Sequence, residues 1–138
     1  MRIMAIDYGD AHTGIAISDP TGLLAGFTTV INSRRQEVVV EQVTLLAKEH
    51  GAEELVLGHP VNMDGTLGPR SEKAKAMKVL LANTAGVPVV LWDERRTTID
   101  AHNILFNSGK NAKQRKKVVD AVAASLILEG YLTFKKSH

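Results

Sequence analysis

The sequence predicts an α/β fold: one mixed five-stranded sheet with helices on both faces. Two observations lead there. Short apolar runs of strand length recur along the chain, and between the later ones apolar residues return at helical spacing. The first three runs follow one another through turn signals, whereas the last two each come after a helix. The predicted order is β-β-β-α-β-α-β-α-α. The first three strands then form an antiparallel meander, and the last two arrive through right-handed crossovers and lie parallel. The 138 residues fit a single domain over 1–138, long enough to bury a core.

Each element has a local reason. Met1 to Ile6 is a buried strand, and His12 to Ser18 is its hairpin partner across Gly9-Asp10-Ala11. Asp19-Pro20-Thr21-Gly22 marks a turn. Ala25 to Ile31, with Phe27, Thr28, Thr29 and Val30, is rich in strand formers. Ser33 and Gln36 suit a capping box. Val39, Val43, Leu46 and His50 follow on one helical face, and Gly51 can close the helix. Glu54 to Gly58 is a short buried strand around Leu55-Val56-Leu57, followed by a polar loop from His59 to Arg70. Ser71 to Ala85 is the second helix, stopped by Gly86 and Pro88, and Val89 to Trp92 is the fifth strand. Thr97 and Asp100 open a short helix that ends near Gly109. The last helix starts at Asn111 or Ala112 and runs to about Thr133.

Composition excludes several classes. A hydrophobic content of 44% with 23% charged residues is that of a globular protein rather than a disordered one. No apolar stretch approaches a membrane span, and the apolar N-terminus is too short for a signal peptide, so the expected location is cytoplasmic, away from membranes. The absence of cysteine excludes disulfides and thiolate metal sites. A net charge of +2 does not by itself point to nucleic acid. The distribution says more. Arg34-Arg35, Arg95-Arg96 and the stretch Lys110, Lys113, Arg115, Lys116, Lys117 all stand beside predicted element ends. A solvated surface run is the bland alternative for each.

Three acids stand in apolar settings. Asp7 ends the run Ile3-Met4-Ala5-Ile6, where a buried carboxylate is costly without a partner or a cation. Asp93 and Glu94 follow Val89-Val90-Leu91-Trp92; adjacent strand residues face opposite sides, and parity leaves open which one shares the face of Asp7. Asp120 lies inside the hydrophobic stretch Val118 to Ala124, with an ion pair to Lys116 or Lys117 as its simpler reading. Carboxylates from separate core elements suit hard divalent cations, and a pair of these roughly 3.5–4 Å apart promotes phosphoryl displacement. Asp7, on the first and central strand, is the natural bridging ligand, and the second acid would come from a neighbouring strand.

The loop Asn62-Met63-Asp64-Gly65-Thr66-Leu67-Gly68-Pro69-Arg70 is glycine-rich and precedes a helix. Its amides, with Arg70, could hold a phosphate, though an ordinary Asp-Gly surface turn has the same composition. His12, His50, His59, His102 and His138 lack metal-ligand spacing, and Ser18, Ser71 and Ser125 show no neighbouring base. Tyr8 and Trp92 read as packing residues.

Together these segments resemble the YqgF (RuvX) family of Holliday-junction-resolvase-like, pre-16S rRNA nucleases. The resemblance rests on four ordered blocks spanning nearly the whole chain. They are Ala5-Ile6-Asp7-Tyr8-Gly9 with Gly14-Ile15-Ala16 and Ser18-Asp19; Gly58 to Thr66 with Gly68-Pro69-Arg70; Asp93-Glu94-Arg95 with Thr98; and Arg115 to Asp120 with Ala123-Ala124. Membership implies an RNase H-like fold and a metal-dependent nuclease of the bacterial cytoplasm that trims the 5′ end of 16S rRNA precursor. It assigns Asp7, Glu94 and Asp120 as the catalytic acids, and Glu94 is chosen over Asp93 on this ground. Two Mg²⁺ or Mn²⁺ ions would be held there. Asn62, Arg70, Arg95, Lys113, Lys116 and Lys117 would contact the nucleic acid, as precursor rRNA alone or in ribosomal particles. His59 and Arg96 depart from the leucines common in the family. Branched DNA is the alternative substrate, for which a homodimer rather than a monomer is expected because resolution needs two cuts. A sugar-kinase or actin-like phosphotransferase would need two such domains. A non-catalytic nucleic-acid-binding module is the remaining alternative.

Overall fold

A computed structural model describes residues 1–21, 25–60, 65, 67–93 and 112–137, with the backbone alone over 112–120 and 136–137. Five strands, β1 (Arg2–Asp7), β2 (His12–Ser18), β3 (Ala25–Asn32), β4 (Ala52–His59) and β5 (Val89–Asp93), form one sheet in the order β3-β2-β1-β4-β5. β1 pairs antiparallel with β2 and parallel with β4, and β5 extends the parallel half. The meander, the two parallel additions and the central place of β1 agree with the sequence expectation.

Alternation along β1 divides the core. Met4 and Ile6 face one side with Ile15, Ile17, Leu55 and Leu57. Helix α1 (Gln36–His50) covers that side with Val39 and Val43, and α2 (Pro69–Ala85) with Ala74, Met77 and Leu81. Ile3 and Ala5 face the other side with Ala16, Val56 and Trp92. The last helix, α3 (Ala112–Ser137), covers it with Ala124, Ile127, Leu128, Tyr131 and Leu132. A strand buried on both faces must be apolar throughout, which is why β1 carries no polar residue between Ile3 and Ile6.

The expected capping box at Ser33 and Gln36 does not form. Arg35 is the N-cap residue and has no side-chain cap bond. The Ser33 hydroxyl instead accepts the Arg35 N–H at 3.1 Å, a local turn that competes with capping. The C-terminal expectation holds: Gly51 and Gly86 close α1 and α2 at φ 66° and 72°, the left-handed region that glycine adopts at no steric cost. α2 begins two residues before the expected Ser71 because Pro69 fits the first helical turn. The short helix expected between Thr97 and Gly109 lies outside the described residues.

Candidate active site

The carboxyl edge of the parallel strands gathers the chemistry. Asp7 is the last residue of β1 and pairs with Gly14 of β2. Alternation places it on the face of Ile3 and Ala5, beneath α3. It is half-buried, and among the described residues no side chain hydrogen-bonds or ion-pairs with it. A carboxylate so placed keeps part of its desolvation cost, which a bound cation would offset. The chain has no thiolate to offer, and a carboxylate oxygen suits a hard cation. Among the described residues no three His, Asp or Glu groups converge as a metal site.

One point that parity left open is decided here, and one expectation, that the second acid comes from a strand next to β1, changes. Asp93 stands on the face of Val89 and Leu91, toward α1 and α2, and so opposite Asp7. β5 is also not the neighbour of β1, because β4 lies between them. An acid following β5 therefore starts two strand spacings from Asp7, about 10 Å away. Glu94, Asn62 and Arg95 lie outside the described residues. Asp120, Lys113, Lys116 and Lys117 belong to the first turns of α3, described by backbone alone.

The opposite face of the same edge is basic. Arg70 and Lys73 lie in the first turns of α2, and Lys73 Nζ binds the Asp10 carboxylate at 2.9 Å. Tyr8, Gly9, Asp10, Arg70 and Lys73 line one small cleft between the β1–β2 turn and α2. The segment after β3 is tied to the same turn by the Ser33 N–H, which donates to the Ala11 carbonyl at 3.0 Å, and this brings Arg34 near Asp10. The hydrogen bond and charge of Lys73 hold the Asp10 carboxyl below the usual carboxylate range, and Asp10 raises Lys73 in return. Burial raises the Tyr8 phenol.

The sequence reading found Arg70 and missed Lys73 and Asp10. Lys73 sits three residues after Arg70 in a helix, a spacing that puts both on one face and was legible. The pairing with Asp10 was not, because the hairpin turn and α2 are far apart in sequence. Ser71 does have a basic neighbour: His59 Nε2 lies 2.6 Å from its hydroxyl. Ser71 is fully buried, so the bond ties β4 to α2 and offers no nucleophile to a substrate. Trp92 packs edge-on against Tyr131 and Phe134, as a packing residue should.

The family model described as RuvX, Holliday junction resolvase, matches residues 1–134. The chain belongs to the RuvX family. A relative from Halothermothrix orenii named "Putative pre-16S rRNA nuclease" is 43% identical over 98% of this chain and 96% of its own length. One of the same name from Carboxydothermus hydrogenoformans is 38% identical over the full length of both. Among solved structures, Thermus thermophilus RuvC in complex with a Holliday junction substrate superposes with a TM-score of 0.65 at 18% identity, over 98% of this chain and 96% of that one. At that identity the likeness shows the fold, which is RNase H-like, as the family resemblance implied.

Proposed function

We propose that this RuvX family member is a nuclease that hydrolyses phosphodiester bonds with divalent metal ions held by Asp7, Glu94 and Asp120, and that it processes the 5′ end of 16S rRNA precursor. The observation that carries the reading is Asp7: a carboxylate with no partner among the described residues, at the carboxyl end of the central strand and on the face crossed by the helix that carries Asp120.

The direction of α3 supports Asp120 as its companion. Tyr131 hydrogen-bonds Glu54, and Lys135 Nζ lies 3.3 Å from the same carboxylate. Glu54 is level with Ile3 at the start of β1, so α3 runs back toward the carboxyl end of that strand. From Tyr131 to Asp120 the helix climbs about 16 Å, and from Ile3 to Asp7 the strand climbs about 13 Å. The two rises are similar, which supports Asp120 as the companion of Asp7. Strand alternation supports Glu94: Val90 and Trp92 face α3, and 94 is the next position of that parity.

Bound Mg²⁺ or Mn²⁺ would supply Lewis acidity for a phosphoryl centre and lower the pKa of water. The chain's own contribution is to present carboxylate oxygens from rigid elements and to hold the strand through Arg70, Arg95, Asn62, Lys113, Lys116 and Lys117. Such phosphate contacts position a substrate without reading its bases. RNA shape or the ribosomal particle would then supply specificity.

The test is cleavage of precursor 16S rRNA in ribosomal particles, with and without Mn²⁺, by the natural chain and by Asp7→Asn. Metal-dependent cleavage lost in a folded Asp7→Asn variant is expected; full activity in that variant ends the proposal. The family description favours branched DNA as a second substrate reading. A junction substrate assayed side by side separates the two, and cleavage of junctions alone by a stable dimer would favour resolution.

A further inference from the structure

We propose that Lys73 and Arg70, with Arg34 beside them, bind a backbone phosphate of the nucleic acid a few nucleotides from the scissile bond, and that the Asp10 carboxylate occupies this place in the free protein. The inference rests on the nuclease reading for its ligand, and on separate residues for its evidence. The cleft between the β1–β2 turn and α2 is lined by Tyr8, Gly9, Asp10, Arg70 and Lys73. Lys73 Nζ binds the Asp10 carboxylate at 2.9 Å, Arg70 lines the same cleft, and the Ser33–Ala11 bond brings Arg34 to the same turn. Asp10 offsets one of these cations, leaving a surplus of positive charge. Arg70 and Arg34 form no ion pair among the described residues.

The pair that fills the cleft is easily exchanged. The side chains of Lys73 and Asp10 are 58% and 75% exposed, and exposed ion pairs are weak and screened by salt. A backbone phosphodiester carries the same single negative charge as a carboxylate, its neighbours along the strand add to that charge, and Arg70 can meet its two non-bridging oxygens through two N–H groups. The position also fits a strand lying across the edge of the sheet. Asp10 is three residues from Asp7, within about 11 Å even along an extended chain. Asp7 faces α3, whereas Tyr8 packs against the core on the α2 side. A polynucleotide crossing the carboxyl edge would therefore meet the acids on one side and the cationic cleft on the other.

Asp10 then opposes binding rather than aiding it, and this separates the proposal from a merely structural ion pair. The experiment measures binding of a fluorescent single-stranded RNA oligonucleotide by Asp7→Asn protein with Mg²⁺, across a salt series. Lys73→Ala and Asp10→Asn are added singly and together, and both positions are exposed enough to keep the fold. Lys73→Ala is expected to weaken binding several-fold and to reduce the salt slope by about 0.7, the value for one lost phosphate contact on a single strand. Asp10→Asn is expected to tighten binding several-fold, with little gain once Lys73 is gone. An unchanged salt slope in Lys73→Ala, or weaker binding in Asp10→Asn, would overturn the proposal. These binding shifts in the variants, together with a natural chain that cleaves nothing, would keep the phosphate site and lose the nuclease reading.

Discussion

At the scale of the residue, Asp7 carries a cost without a visible return in the fold. It is half-buried at the end of a strand whose other positions are apolar, with no cation beside it among the described residues. Groups kept for chemistry commonly lower stability, so neutralising one commonly raises it. Asp7→Asn is therefore expected to unfold at the same temperature as the natural chain or a few degrees higher. Mn²⁺ should raise the melting temperature of the natural chain and leave Asp7→Asn unmoved, because a ligand that binds only the folded state stabilises it. Thermal scans with and without metal check both statements. A lower melting point in metal-free Asp7→Asn would make the acid a structural one. The residue-level reading of the sequence reached Asp7 because an acid ending an apolar run is conspicuous. It could not choose between Asp93 and Glu94, since a strand's parity is set by what packs on each face. The alternation of Val89 and Leu91 against Val90 and Trp92 supplies that information for Asp93.

At the scale of the element, the β1–β2 hairpin holds the edge together. Gly9 lies between Asp7 and the Asp10 cleft, and a Cβ there would run into the carbonyl oxygen of His12. The clash is with backbone, which cannot step aside as a flexible side chain would. Gly9→Ala is expected to destabilise the protein by about 1–3 kcal/mol, as other overpacking substitutions do. Denaturant melts would show it, and an unchanged midpoint would mean that the turn relaxes freely. The hairpin was legible because two apolar runs flank a short polar turn. The start of α1 was not. Ser33 and Gln36 have the spacing of a capping box, but the Ser33 hydroxyl closes a turn onto Arg35 and the Ser33 N–H is spent on Ala11. Local sequence states which bonds are possible, and the tertiary partner decides between them.

At the scale of the whole molecule, the sheet is a partition with unlike coverings. α1 and α2 share one side, whereas α3 covers the other with a stripe from Ala124 through Ile127 and Leu128 to Tyr131. Leu128 is fully buried in that stripe. Leu128→Ala is expected to cost about 2–5 kcal/mol, the range for a large-to-small change in a close-packed core. Equilibrium unfolding measures it, and a loss under 1 kcal/mol would mean that α3 is loosely docked. Tyr131 adds a pH dependence. Burial, and then its bond to the Glu54 carboxylate, pushes the phenol above its ordinary value of 10.0. The folded state keeps a proton that the unfolded chain releases, so this contribution is full below about pH 10 and declines as pH rises above it. The melting temperature of the natural chain should fall more steeply above pH 10 than that of Tyr131→Phe. Tyr8, raised in the same direction, leaves a residual slope in both. The layer plan was readable from the order of strand and helix patterns. The cleft between the hairpin turn and α2 was not, because its residues meet only once the crossover is closed.

β1 lies between β2 and β4, and its backbone amides are bonded within the sheet rather than turned to water. In deuterated solvent these N–H groups should be among the slowest to exchange, opening only with global unfolding. Edge strand β3 should label earlier. A molecule whose rim has frayed would thus keep its Asp7 carboxylate in position, so under the proposed site an activity lost on mild heating would report escape of Glu94 and Asp120 before collapse of the scaffold.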